Sequence, residues 1–329
     1  MQKNKIGNPL ISFVVPMKEK DFRVINLLES IRKQNYPQNN IQIIIIDGGS
    51  NPTVLEACKK YNVEIYFNKY GFAEGKGMGK DQGIWKSKGK YVVISESDIK
   101  LVGENWINEM IEPLEKDEKF FASVPGLYVD KKDNIVNRYL SYVGVDPFAI
   151  FRSLEGQLAL GKVELNDCGN YYCVNLNKKE PYCMGSNGFM FRKELIEKVG
   201  DYAQDVEFIA RLVKNGFIKF AIPQNAKVFH ANIKNFYEFL KKRIKWTKTY
   251  TKFYADEKKD FVWIINKYKF FIYVMKNIFI LPNIPISIKN FFKYRDSAWF
   301  LHPFLLFLTT SINIFYSMQS KKMLHNLLK

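Results

Sequence analysis

The sequence predicts an α/β protein with a mostly parallel central sheet flanked by helices, followed by a C-terminal helical, membrane-associated extension. Three observations carry the α/β part. Strand-like and helix-like stretches alternate through roughly the first hundred residues, the pattern of right-handed βαβ units. One strand, 41–46, holds five Ile in six positions, and a run apolar on both faces belongs inside a parallel sheet covered by helices. Acidic residues, Asp47 and the pair Glu96/Asp98, stand where two such strands end. Ligands of open parallel sheets bind beyond the carboxyl ends of the strands.

Residues 11–15 are apolar and β-branched and stop at Pro16, which reads as a buried strand. Val24, Leu27, Leu28 and Ile31 fall on one helical face, and the segment ends before Tyr36-Pro37. The Ile-rich strand closes on the turn Asp47-Gly48-Gly49-Ser50, and a helix is expected over 52–61. A third strand over 63–67, a glycine-rich stretch from Gly71 to Gly83 and a helix around Trp85 follow. A fourth strand, 91–95, delivers Glu96-Ser97-Asp98. From 128 to 182 periodicity fades into Asn, Asp, Gly and aromatic residues, expected as long loops that serve binding. A strand over 188–192 and a short helix come next. A helix over 204–215 carries Val206, Ile209, Ala210 and Val213 at helical spacing with Gly216 at its stop, and a strand over 226–229 ends at His230.

With 329 residues, 47% hydrophobic and 25% charged, the chain has a globular composition that excludes wholesale disorder. Its net charge of +17 is concentrated at one end: residues 231–329 hold 18 Lys/Arg against 5 Asp/Glu, leaving +4 for residues 1–230. The expected division is therefore a balanced α/β domain, 1–233, and a basic, aromatic-rich helical region, 234–329. A basic segment seeks anionic partners, nucleic acid or the lipids of a cytoplasmic leaflet. Residues 297–320 contain no Asp, Glu, Lys or Arg in 24 consecutive positions, so 299–318 is long enough to span a bilayer. Residues 261–281 are as long, but Lys267, Lys269 and Lys276 favour a helix lying in the interface. The membrane reading is preferred; a soluble helical subdomain and a nucleic-acid-binding segment are the alternatives. The polar stretch Met1 to Pro9 is expected to hold no signal peptide. Four cysteines form no CxxC pair, and free thiols in a reducing cytosol are expected, although Cys168, Cys173 and Cys183 fall within sixteen residues.

Taken singly, the polar residues have ordinary explanations. An acidic triplet after a strand is commonly a solvated turn, acids such as Asp205 and Glu207 suit a first helical turn, and most lysines are solvated. Yet residues two apart in extended chain point the same way, so Glu96 and Asp98 can face one cavity. Carboxylate oxygens suit Mg²⁺ or Mn²⁺ holding a diphosphate. Lys76 and Lys80, in the glycine-rich stretch, can neutralise phosphates.

In order, these pieces resemble family 2 glycosyltransferases of the GT-A (Rossmann-like) fold, over roughly residues 10–250. Phe13-Val14-Val15-Pro16 stands for the family's opening strand, and Ser30-Ile31-Arg32-Lys33-Gln34 for its Ser-x-x-x-Gln helix end. Ile44-Ile45-Ile46-Asp47-Gly48-Gly49-Ser50 stands for an IIVDDGS-like segment, and Gly89-Lys90-Tyr91 enters the strand before the Asp-x-Asp-like Glu96-Ser97-Asp98. Gly185-Ser186-Asn187-Gly188-Phe189-Met190, Gln204-Asp205, His230 and Lys242-Arg243-Ile244-Lys245-Trp246 follow. This chain departs from the pattern at Gly48, Asn51-Pro52, Glu96, Gln204 and Lys80-Asp81. The resemblance implies an inverting, divalent-metal-dependent transfer of a sugar from a UDP- or GDP-sugar to an acceptor hydroxyl on a lipid-linked glycan or cell-surface polysaccharide. Relatives that load polyprenyl phosphate need no base, so an acid at Asp205 favours a hydroxyl acceptor. It further implies donor contacts from Pro16, Asp47, Lys76, Lys80, Glu96 and Asp98. Asp98 and His230 would hold Mn²⁺ or Mg²⁺, Asp205 would be the base, and Gly188 and Trp246 would lie toward the acceptor. The expected setting is the cell membrane, with the catalytic domain on the cytoplasmic side and no nucleic-acid partner.

Overall fold

The predicted alternation is realised strand by strand in the computed structural model, which describes residues 8–71, 75–256 and 259–319. Residues 72–74 of the glycine-rich stretch and both chain ends thus lie outside the described residues. The chain divides into two compact units, 1–128 with 164–231, and 129–163 with 232–329.

In the first unit, β1 (Ile11–Met17), β2 (Ile41–Asp47), β3 (Glu64–Phe67) and β4 (Tyr91–Ile94) pair in the parallel order β3-β2-β1-β4. Helices α1 (Arg23–Arg32), α2 (Pro52–Lys59) and α3 (Gly79–Lys86) make the crossovers. Every residue of β1 and β2 is buried, as the two-faced apolar runs require. Pro16 is tolerated inside β1 because β4 pairs with β1 only as far as Val14 opposite Ile94, and a proline has no N–H to give a ladder. Asn51 caps α2 by accepting from the Thr53 N–H at 3.0 Å.

Between residues 99 and 127, four elements had no counterpart in the sequence reading: β5 (Ile99–Val102), α4 (Trp106–Lys116), β6 (Phe120–Ser123) and β7 (Gly126–Leu127). The loops expected between 128 and 182 contain α5 (Ile135–Val143), α6 (Leu154–Ala159), β8 (Asn166–Asp167) and β9 (Tyr171–Asn175). Next come β10 (Phe189–Arg192), α7 (Leu195–Val199), α8 (Asp205–Lys214), β11 (Lys219–Pro223) and β12 (Lys227–His230). The main sheet has nine strands, β3-β2-β1-β4-β10-β6-β11-β9-β8. Seven of its strands run in one direction, as expected for a mostly parallel sheet, and two are reversed: β10 runs antiparallel to both β4 and β6, and β9 to both β11 and β8. A second sheet, β5-β12-β7, sets β12 antiparallel to β5. Two registers matter for the site: Phe189 lies opposite Ile94, and His230 opposite Ile99.

Cys168 and Cys173 form a disulfide with Cα atoms 6.1 Å apart, while Cys58 is a buried free thiol. Four free thiols had been expected. The antiparallel β8–β9 turn, closed by Cys168 N–H donating to the Tyr171 carbonyl at 3.0 Å, brings the pair within disulfide reach.

The second unit adds α9 (Phe236–Asp256), α10 (Lys267–Ile278), α11 (Ile284–Tyr294) and α12 (His302–Gln319) to α5 and α6. Its core joins Tyr139, Leu140 and Val143 of α5 to Trp299, Leu305 and Leu306. Asp296, buried, pairs with Lys131 at 2.8 Å and Arg138 at 3.2 Å. The helix expected over 261–281 is shorter, since 261–266 are not helical and α10 stops at Ile278. Among the described residues, the stretch Ser297–Gln319 is long and apolar enough to cross a membrane, with mean hydropathy 1.4.

Candidate functional site

Polar side chains gather at the carboxyl ends of β1, β2 and β4, in the first unit. β4 delivers Glu96-Ser97-Asp98, but the triplet turns instead of running on extended, with the Ile99 N–H donating to the Glu96 carbonyl at 3.4 Å. The rule that residues two apart share a direction therefore does not apply. Glu96 and Asp98 take separate sets of partners.

Glu96 faces α3 and the approach to β10. Its Oε2 accepts from the Asn187 N–H at 2.6 Å and its Oε1 lies 3.3 Å from Lys80 Nζ. Lys80, itself buried, donates to both carboxylate oxygens of Asp205 at 2.8 and 2.9 Å. One ammonium thus bridges two carboxylates that are 109 positions apart in sequence, at the start of α8 and the end of β4. Burial raises the Asp205 pKa above the usual carboxylate value; the Lys80 charge opposes that shift and Glu96 adds to it. Asp81, beside Lys80, accepts from the Gly77 N–H at 2.6 Å and from the Tyr202 N–H at 2.8 Å. It ties the glycine-rich turn to the loop that leads into Asp205.

Asp98 faces β12. Its Oδ1 lies 3.2 Å from His230 Nε2 and its Oδ2 lies 3.7 Å from Arg23. The β5–β12 register produces the first contact, and the Ala231 N–H donating to the Asp98 carbonyl at 2.9 Å locks it. Arg23 opens α1 and also pairs with Asp21 at 2.9 Å and Glu19 at 3.8 Å, and Glu19 accepts from the Ser97 hydroxyl. Burial works against the Arg23 charge, but Asp21, Asp98 and Glu19 hold its pKa above the usual value. Glu19 and Arg23 were missed in the sequence. The available signal was the charged run Lys18-Glu19-Lys20-Asp21 directly after β1.

The other expected residues divide. Asp47 is buried and accepts from the Ser50 N–H at 2.8 Å, holding the turn after β2. Pro16 is buried in β1, whereas Lys76 is exposed in the turn that Asp81 holds. Gly188, at φ +89°, donates its N–H to the Ile94 carbonyl at 2.8 Å, and a Cβ there would come within 3.1–3.3 Å of Pro125, Trp106 and Val228. Packing and backbone conformation both call for glycine at that position. Trp246, on α9 in the second unit, is half exposed.

Two ligands bound about 2.1 Å from one ion at right angles stand about 3.0 Å apart. The 3.2 Å between Asp98 Oδ1 and His230 Nε2 fits such a pair. Among the described residues no three His, Cys, Asp or Glu side chains cluster to hold a metal.

The family model described as glycosyl transferase family 2 matches residues 12–200. Over 140 residues the chain is 32% identical to the glycosyltransferase GlyG of Streptococcus pneumoniae serotype 4, covering 42% of this chain and 45% of that protein. Over 152 residues it is 26% identical to an uncharacterised glycosyltransferase of Rickettsia bellii, covering 45% of this chain and 21% of the relative. The chain thus spans less than half the length of either relative. Among solved structures it is similar to the mannosyltransferase PcManGT from Pyrobaculum calidifontis in complex with GDP-Man and Mn²⁺, at 12% identity and TM-score 0.49, covering 95% of this chain and 76% of that one. It is also similar to S. aureus TarS 1-349 in complex with UDP-GlcNAc, at 12% identity and TM-score 0.48, covering 72% and 65%.

Proposed function

The chain belongs to glycosyl transferase family 2, and from that premise we propose that it transfers a sugar, with inversion, from a UDP- or GDP-sugar to a hydroxyl of a lipid-linked glycan or cell-surface polysaccharide. The observation that supports this reading is the split of Glu96-Ser97-Asp98 between the His230/Arg23 side and the Lys80/Asp205 side.

In this reading Asp47 and Pro16 line the nucleoside end of the donor, and Lys76 meets its phosphates. Asp98 and His230 would hold Mn²⁺ or Mg²⁺, and a bound ion would supply Lewis-acid stabilisation of the departing diphosphate. Arg23 fixes the second oxygen of Asp98. Asp205 takes the proton of the acceptor hydroxyl, which attacks the anomeric carbon from the face opposite the diphosphate. Lys80 keeps Asp205 ionised against its burial, and Glu96 holds Lys80 in place. Gly188 belongs to the acceptor side. The enzyme works at the cytoplasmic face of the cell membrane, with residues 234–329 as its membrane-associated region.

Calorimetric titration of UDP, GDP and their sugars, with and without Mn²⁺, tests the donor half. Asp98→Ala should abolish the Mn²⁺-dependent gain in affinity; unchanged binding and turnover would remove Asp98 from the site. Asp205→Asn should lose turnover and keep donor binding, and lost donor binding would instead reassign Asp205.

A further inference from the structure

Within the second unit, the segment from α10 to α11 is patterned inside out. Its buried residues are polar: Asn277, Asn283, Ser287 and Asn290. Its exposed ones include Tyr268, Phe271, Phe279, Leu281, Ile288 and Phe292, from 46% to 74% accessible. A helix packed on a water-soluble domain shows the reverse. Three of the four, Asn277, Asn283 and Ser287, bond to each other or to the unit's own core, while the Asn290 amide nitrogen has no hydrogen-bond partner among the described residues. Asn277 donates to the Thr310 hydroxyl at 3.0 Å, Asn283 donates to the Lys276 carbonyl at 3.1 Å, and Ser287 donates to the Trp299 carbonyl at 2.5 Å. Internal satisfaction of polar groups is what an apolar surrounding demands.

We infer that this segment is a lipid-facing surface that lies in the plane of an anionic bilayer and does not cross it. At about 100° per residue, Tyr268, Phe271 and, at the C-cap, Phe279 share one face of α10, Asn277 lies opposite, and the aromatic face is flanked by Lys269 and Lys276 on one side and Lys267 on the other. Amines on the flanks of an apolar face reach headgroups while the rings enter the acyl boundary. Charge agrees. From 261 to 319 the sole acid is Asp296, buried and paired, whereas Lys267, Lys269, Lys276, Lys289 and Lys293 are all exposed. Neither helix alone is long enough to cross, and although the two together are long and apolar enough for a broken span, their sharp bend argues against one. Helices of 12 and 11 residues reach about 18 and 17 Å against a hydrocarbon core of about 30 Å, and the two are bent by 98°. The longer α12 passes the length test but places Leu305, Leu306, Thr309 and Thr310 in the unit's interior.

The inference rests on the membrane part of the proposed function, and the test separates the two. The full chain is sedimented with vesicles of about 7:3 phosphatidylcholine to phosphatidylglycerol and with phosphatidylcholine alone, while nucleotide-sugar binding is measured on the same samples. The parent should partition at least about tenfold more strongly to the anionic vesicles. Phe271→Ser with Phe292→Ser should lower partitioning at least about tenfold, with donor affinity unchanged. Lys269→Glu with Lys276→Glu, two exposed positions that need not disturb folding, should abolish the anionic preference. Three results would overturn the inference: variants that bind like the parent, membrane protein that alkaline carbonate cannot extract with or without the Phe substitutions, or a lipid-free dimer that the Phe substitutions dissociate. Loss of donor binding in every sample, with vesicle binding intact, would instead count against the catalytic reading.

Discussion

Lys80→Met removes one charge from between two carboxylates and keeps an unbranched side chain in its place. Lys80 is buried and lies 2.8–2.9 Å from both Asp205 oxygens and 3.3 Å from Glu96. At an effective dielectric of about 20, a charge pair about 3 Å apart is worth roughly 5–6 kcal/mol. That is an upper bound here, because the Asp205 and Glu96 side chains remain 23% and 25% accessible. A neighbouring cation commonly displaces a carboxylate by about 1–3 pKa units, or about 1.4–4 kcal/mol. The sign is fixed by the site. Burial and Glu96 already push Asp205 up, and Lys80 is the group that opposes them. Without it the base ionises at higher pH. The acid limb of kcat/KM, measured between about pH 5 and 9, should therefore move up by about 1–3 units, while the alkaline plateau changes little. Lys80→Arg should restore most of the limb. An acid limb that stays in place while donor affinity falls would refute the coupling and make Lys80 a diphosphate ligand instead.

Glu96→Gln should shift the same limb in the opposite direction, to lower pH, because Glu96 is one of the groups raising Asp205; a shift upward in the pH–rate profile would contradict that sign. Asp296→Ala should destabilise the second unit by about 2–3 kcal/mol, since it leaves Arg138 and Lys131 without their shared partner. Chemical denaturation of parent and variant reads this out. Despite burial, Lys131, Arg138 and the Ala298 N–H hold the Asp296 pKa below the usual carboxylate value. Its contribution to stability is thus complete above about pH 4 and lost as pH falls through the depressed value, which denaturation at stepped pH will show. Alkylation of freshly lysed cells bears on compartment: Cys168 and Cys173 should be recovered as thiols if the catalytic unit faces a reducing cytosol, and as the disulfide if it faces an oxidising space.

The parallel half of the main sheet was legible because its signals are local. The Ile run of β2 and the β-branched run of β1 depend on neighbours a few residues away, and both strands appear where they were expected, although β1 continues past the expected stop at Pro16 to Met17. What stayed hidden depends on distant partners. Helix α5 is apolar on one face for the sake of Trp299 and Leu305, more than 150 positions later. The mixed character of the sheet rests on β10, whose partners β4 and β6 precede it by some 70 residues or more. The site follows the same rule. Asp98 and Asp205 were marked by their places at a strand end and a helix start, but Arg23 and Glu19 gained significance only when α1 was set beside the end of β4.

The triplet shows how a short motif can hold two chemistries. Had 96–98 continued as strand, Glu96 and Asp98 would have shared a face and competed for the same cation. The turn separates them instead, and each side already carries one basic group within about 3.3 Å: Lys80 for Glu96 and His230 for Asp98. The longer Glu96 side chain, the departure from the family's acid at that position, reaches both Lys80 and the Asn187 N–H. An aspartate is one methylene shorter and would have to give up one of those contacts or move the backbone. In the proposed reading Glu96 thus stands on the base side of the reaction, and Asp98 is the acid of the triplet that faces the diphosphate, together with His230 and Lys76.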